Sequence, residues 1–268
     1  PHELGRKASL KMKGIILSGG TGTRLRPITH TGPKQLVPVA NKPVLEYAVE
    51  DLKEAGITEI GVILGNIGRE EIQDLLGDGS KYGVDITYIV QGNPLGLAHA
   101  AGVARKFVGD DDFVMYLGDN ILKQGISDLV ESFEVGDYGA GIALQEVANP
   151  QQFGIAAVDD DGKVKELTEK PDDPPSNLAL IGIYVFSPAV FDAIEQLEPS
   201  WRGELEITDA IQFLLDDGFD IDSHVVKGWW KDTGKPKDIL EANRLVLEEI
   251  GTGLAGTVGE NADVRGRI

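Results

Sequence analysis

The sequence predicts an α/β protein, an open, largely parallel, mixed and twisted sheet with helices on both faces. Three observations carry that expectation. Short apolar runs alternate with segments of helical period along most of the chain, the pattern of a sheet built from parallel strands and helical crossovers. Pro43, Pro188 and Pro236 stand where helices tolerate proline, in the first turn. The first apolar run opens directly into a glycine-rich loop, and ligands in such sheets bind beyond the carboxyl ends of the strands.

Taken in order, the predicted strands are Gly14–Leu17, Glu59–Leu64, Val84–Val90, Phe113–Leu117, Gly139–Val147, Ile155–Val158, Leu178–Phe186 and Ile221–Lys227. Helical patterns lie between them at Pro43–Ala55, Arg69–Leu76, Leu97–Phe107, Ile126–Glu134, Pro188–Leu197, Glu206–Asp217 and Pro236–Ile250. Residues 12–250 read as one domain. Residues 1–11 precede Met12 and read as an expression leader outside the fold. In residues 251–268, Val258 and Val264 stand six apart around small residues, the spacing that opens a hexapeptide-repeat β-helix, here cut short.

Composition excludes several classes. Apolar residues make up 41% of the 268, enough for a substantial core, and no apolar run approaches the length of a membrane span. No secretory signal is visible, and with no cysteine there is no disulfide, thiolate nucleophile or Cys-ligated zinc, which fits a reducing cytoplasm. The 44 acidic against 25 basic residues leave a net charge of −19, the wrong sign for a nucleic-acid surface. Anionic substrates must then be met by cations concentrated locally and by a divalent ion. Asp110–Asp112 and Asp159–Asp161 read as solvated loops, and the acidic surface suggests a protein adapted to high salt.

The chemistry concentrates in Leu17-Ser18-Gly19-Gly20-Thr21-Gly22-Thr23-Arg24-Leu25-Arg26-Pro27, followed by Pro33-Lys34. Glycines bring backbone N–H groups close to phosphate, and Arg24 and Lys34 add fixed cations within one loop. Together they suit a triphosphate held while one of its bonds breaks. The run is not a Walker loop: Gly234-Lys235 is followed by Pro236, with Trp229 where the first glycine belongs. Nor is it a dinucleotide-binding turn, because Leu25 occupies the third glycine position.

The run LSGGTGTRLRPIT followed by PKQLVPVANKPVLEY resembles the signature of the sugar nucleotidyltransferases, and within them that of the glucose-1-phosphate thymidylyltransferases. Further fragments match in order: Gln91 with Gly96-Leu97-Ala98, Leu117-Gly118-Asp119-Asn120, Phe153-Gly154, Glu169-Lys170-Pro171, Arg202 to Asp209, and Trp230 to Gly234. The resemblance implies a Rossmann-like nucleotidyltransferase fold, with transfer of a nucleotidyl group from dTTP or UTP to a sugar-1-phosphate, glucose-1-phosphate foremost. It implies that Asp119 and Asp232 hold Mg²⁺, a hard cation that takes one or two carboxylates plus phosphates and water. Arg24 and Lys34 become the catalytic cations, stabilising charge that grows on the phosphoryl oxygens. The base falls to Leu17, Gly19, Gly20, Gln91 and Gly96, and the sugar phosphate to Gly154, Glu169, Lys170 and Trp230. Asp beside Gly or Thr is more commonly a turn or cap, and Trp230 could equally be a core aromatic. Arg26 is left open between site and solvent, and His30, His99 and His224 stand isolated and take no role.

Ser18 stands where alanine is frequent, Phe153 where tyrosine is frequent, and Ile181 where threonine is common in the short-form enzymes. The last two remove hydroxyls near the sugar, so the sugar is not fixed by sequence. Thymine and uracil differ by one methyl, too little to separate them here. Two other readings remain, a silent relative that only binds nucleotide sugars and a nucleotide-dependent oxidoreductase. No membrane or nucleic-acid partner is expected, and homo-oligomerisation is left open.

Overall fold

Strand β1 (Lys13–Leu17) sets the architecture. Ile15 and Ile16 are fully buried and point to opposite faces, so the sheet must be covered on both sides. The computed structural model describes residues 12–30 and 32–249. Residues 1–11, expected to be a leader, and residues 251–268, with the expected β-helix opening, lie outside the described residues.

After β1 a short hairpin, β2 (Pro38–Val39) and β3 (Lys42–Pro43), leads into helix α1 (Val44–Glu54). The chain continues through β4 (Glu59–Leu64), α2 (Arg69–Leu76), β5 (Asp85–Val90), α3 (Leu97–Gly102) and α4 (Arg105–Val108). Then follow β6 (Phe113–Leu117), β7 (Asn120–Leu122), α5 (Ser127–Val135), β8 (Tyr138–Glu146), β9 (Gly154–Val158) and β10 (Val164–Glu169). The last elements are β11 (Leu178–Phe186), α6 (Ala189–Glu195), α7 (Ile207–Asp216), β12 (Asp220–Val225), β13 (Trp230–Asp232) and α8 (Pro236–Glu249).

The large sheet is mixed. Its half bearing the glycine loop, β6-β1-β4-β5, is parallel throughout. Beyond β6, β11 and β8 are added antiparallel, and β12 runs parallel to β8. The β9–β10 hairpin joins the start of β11 at Ala179 opposite Ile155. Between Leu180 and Tyr184 the register of β11 against β8 shifts, so β11 serves the hairpin at one end and β6 at the other.

Alternating residues of β6 feed two cores. Phe113 and Met115 pack with α3, α4, α6 and α7, whereas Val114 and Tyr116 pack with α1, α2 and α5. A third, smaller cluster joins Leu25 of the glycine loop to Val39, Val44, Ile121 and the α8 residues Ile239 and Ala242. Fully buried Leu25 thereby anchors the loop that carries Arg24.

The structure departs from the sequence expectations at identifiable places. The helix expected over Leu97–Phe107 breaks near Val103 into α3 and α4, where Gly102 is a poor helix former. Strands β7, β10 and β13 have no counterpart in the sequence reading. Two span three residues, and β10 has a register shift between Val164 and Glu166 that breaks its alternation. Asp112, expected in a solvated loop, is 8% exposed at the entrance to β6. Among the described residues no helix is long and apolar enough to cross a membrane.

Candidate active site

The glycine loop leaves β1 at Leu17 and is tied down immediately: buried Ser18 donates its hydroxyl to the Ile63 carbonyl at 2.8 Å. Substituting serine for the more frequent alanine therefore adds an anchor to β4. The glycines do more than expose backbone. A Cβ on Gly20 would lie 2.6 Å from Lys34 Cε, and one on Gly19 would lie 2.9 Å from Gln91 Oε1. A side chain at either position would push the lysine or the glutamine away from the loop.

Asp119 follows β6 after Gly118, and Asp232 ends β13. The short antiparallel pairing of β7 with β13 sets Asn120 opposite Asp232, which brings the two carboxylates to one edge. Thr233 fastens the joint, its backbone N–H and its hydroxyl both donating to the Asp119 carbonyl, at 2.9 and 2.8 Å. Lys34 Nζ hydrogen-bonds Asp119 Oδ2, with both side chains largely buried. Burial, then the neighbouring Asp119 charge, pushes the Asp232 carboxyl up; Lys34, the Gly234 N–H and Arg24 pull the other way. A largely buried carboxyl raised by burial and by a carboxylate beside it is suited to a cation between the two. Among the described residues no group of three or more His, Asp or Glu side chains is placed to hold a metal, so an ion here would need ligands from substrate.

Also lining the cleft, Glu169 closes β10 opposite Gly154, the first residue of β9. Thr208 donates to Glu169 Oε2 at 2.8 Å, and Arg202 Nη1 and Lys170 Nζ lie 3.4 and 3.2 Å from Glu169 Oε1. Lys170 takes a left-handed backbone, φ +43°, rare for a side-chain-bearing residue and found where a site over-determines it. Arg202 is braced from behind by Glu206, 3% exposed, whose carboxyl is raised chiefly by burial. Trp230 donates its indole N–H to Asn120 Oδ1 at 3.0 Å and meets Phe153 edge-on at 5.8 Å between ring centres. Trp230 lines the cleft and also packs against the core on the α1 face, so its position serves both readings open for it.

Gln91 follows β5, and Gly96 opens α3 with φ +112° against the Leu205 backbone. All of the residues given roles from the sequence line a single cavity of about 520 Å³. Within it Gln91 reaches Gly19, Lys34 lies against Gly20 and bonds Asp119, and Glu169 gathers Lys170, Arg202 and Thr208 beside Gly154. Arg26 is exposed and does not line it.

Several lining residues had no role from the sequence. Arg202 and Thr208 lay inside a matching fragment, but their bonds to Glu169 arise from α7 packing on β10, which no spacing reveals. Gln35 is 1% exposed, yet its Oε1 has no hydrogen-bond partner among the described residues. A buried acceptor left open against a cavity is a position for a ligand donor.

Comparison with known proteins places this arrangement. The chain is 82% identical over 257 residues to the low-salt glycan biosynthesis nucleotidyltransferase Agl11 of Haloferax volcanii, an alignment covering 96% of this chain and 72% of the relative. It is 56% identical, with the same coverage of each, to a glucose-1-phosphate thymidylyltransferase of Streptomyces antibioticus. The fold superposes with a TM-score of 0.81 on a crystal structure of a UDP-glucose pyrophosphorylase complexed with UDP-glucose, at 26% identity, covering 90% of this chain and all of that one. The profile described as Nucleotidyl transferase matches residues 13–249, and the chain belongs to that family.

Proposed function

We propose that this protein transfers a nucleotidyl group from dTTP or UTP to a sugar-1-phosphate, glucose-1-phosphate being the first candidate, releasing pyrophosphate. The observation that carries this reading is the convergence of three sets of groups on one cleft: the glycine loop with Gln91, the Lys34–Asp119 pair with Asp232, and Glu169 with Lys170 and Arg202. Those sets match the parts of the reaction, the first for the base, the second for the reacting phosphates and the third for the sugar phosphate. The names of the relatives support it, since they include a glucose-1-phosphate thymidylyltransferase and a UDP-glucose pyrophosphorylase.

In the reaction an oxygen of the sugar phosphate forms a bond to the α-phosphorus, and the bond from that phosphorus to the β-phosphate bridging oxygen breaks. The nucleophile already carries negative charge, so no side chain must activate it. Lys34 is held by Asp119 before substrate arrives, Arg24 lines the same cleft, and both meet charge that builds on the phosphoryl oxygens. Asp119 and Asp232 fit a divalent ion, Mg²⁺ by the hardness of their oxygens, which would neutralise and align the phosphates. Glu169, held by Thr208, accepts from sugar hydroxyls, while Lys170 and Arg202 attract the sugar's phosphate. Trp230 and Phe153 wall the sugar and exclude water.

The test is pyrophosphate release with Mg²⁺ and glucose-1-phosphate, offering dTTP, UTP, ATP, CTP and GTP in turn at low and molar KCl. Release with dTTP or UTP that disappears in Asp119→Asn is the expected result. A folded protein silent with every nucleotide in both salts would overturn the reading.

A further inference from the structure

Gln91 and His99 meet where β5 hands over to α3. Gln91 Nε2 lies 3.5 Å from the Gly96 carbonyl oxygen and 3.2 Å from His99 Nδ1. A carbonyl only accepts, so the side of the amide turned to Gly96 is its NH₂. In the tautomer with its proton on Nε2, His99 Nδ1 accepts from the same NH₂. Gln91 Oε1 is left facing the glycine loop, 2.9 Å from where a Cβ on Gly19 would stand. It accepts no hydrogen bond among the described residues, and Gln91 lines the cleft.

We propose that His99 is a positioning residue that holds the Gln91 amide with its oxygen toward the nucleotide, so that the site selects uracil or thymine over cytosine. The inference rests on the nucleotidyl-transfer reading above. Uracil and thymine carry a donor at N3, whereas cytosine carries a bare acceptor there. An amide oxygen set against N3 gains a hydrogen bond with the first two and opposes a lone pair on the third. The terminal torsion of glutamine is soft and nearly two-fold. Without His99 only the long Gly96 contact resists a half-turn that would offer NH₂ to cytosine instead.

UTP and CTP differ only along this edge, so they are the probes. Binding of each is measured by calorimetry, and kcat and KM for pyrophosphate release are measured with glucose-1-phosphate, in the native protein, His99→Leu and His99→Asn. The native protein is expected to favour UTP. His99→Leu is expected to lower the UTP-to-CTP preference by about tenfold, the worth of one oriented hydrogen bond, through Kd and KM rather than kcat. His99→Asn is expected to restore the preference, because its Oδ1 accepts where Nδ1 did. The assignment is overturned if the native protein takes UTP and CTP alike, or if His99→Leu keeps the preference. Equal weakening toward both nucleotides, or failure of His99→Asn to restore the preference, overturns it too. A native protein that neither binds nor turns over any nucleotide overturns the nucleotidyl-transfer reading itself, an outcome distinct from activity with an unmoved UTP-to-CTP ratio.

Discussion

Lys34 is held on three sides: Gly20 leaves room for its stem, Asp119 takes its ammonium, and its charge pulls down the Asp232 carboxyl. Lys34→Ala is expected to lower kcat by about 10²–10³-fold, the effect of removing one transition-state donor, with the melting temperature little changed. Gly20→Ala should reproduce part of that loss, since its Cβ would stand 2.6 Å from Lys34 Cε and push the side chain away. Steady-state kinetics beside thermal melts checks both. Asp51 behaves differently. Its carboxyl accepts from Tyr116 at 2.7 Å, but burial pushes it up to about 6, with Glu54 and Glu50 adding and Tyr116 and Lys42 opposing. The folded state therefore binds this proton more tightly than the unfolded chain, whose value is 3.8, and stability falls as pH rises between the two. Asp51→Asn keeps an acceptor for Tyr116 without the charge. It is expected to add about 1–2 kcal/mol near pH 7 and to flatten that slope, as followed by denaturant unfolding at several pH values.

At the scale of elements, the three-residue strands β7 and β13 matter most to the site, because their pairing alone puts Asp119 beside Asp232. Thr233, 1% exposed, locks the joint with two donors on one carbonyl. Thr233→Val keeps the backbone bond and loses the hydroxyl. It should cost about 1 kcal/mol of stability and raise the Mg²⁺ concentration needed for half-maximal activity, measured by metal titration of the rate. Strands β1, β4 and β6 of the parallel half were legible in the sequence as apolar runs, because a strand buried on both faces has no room for polar residues. β7 and β13 were not, since Asn120–Leu122 and Trp230–Asp232 are too short for any period and their pairing spans more than a hundred residues. The same holds for the bracing of Glu169 by Thr208 and Arg202, which depends on α7 packing across β10.

For the molecule as a whole, the dominant quantity is a net charge of −19 on a protein proposed to bind two anions. In the described structure Arg24, Lys34, Lys170, Arg202 and Lys235 line one cleft, matched there by Asp119, Glu169, Glu204, Glu206 and Asp232, so the cleft is balanced in charge where the whole chain is strongly acidic. The remaining surface repels itself over a screening length of about 10 Å at 0.1 M salt, falling to about 3 Å at 1 M. The melting temperature is therefore expected to climb steadily with KCl concentration, read by differential scanning calorimetry. A melting temperature unchanged between low and molar KCl would remove the case for a salt-adapted surface. Substrate affinity should respond in the opposite sense, because the cleft's cations are screened by the same salt.

The amino-acid sequence by itself determined the fold class, the order of most elements and the residue types of the site. These depend on local patterning, loop composition and motif order, which lie along the chain. Tertiary structure alone decided that Asp119 meets Asp232, that the loop glycines exist partly to admit Lys34 and Gln91, and that His99 touches Gln91 Nε2. Each is a contact between side chains or backbone brought together by the packing of separate elements, and side-chain direction across a fold is set by that packing rather than by spacing in sequence.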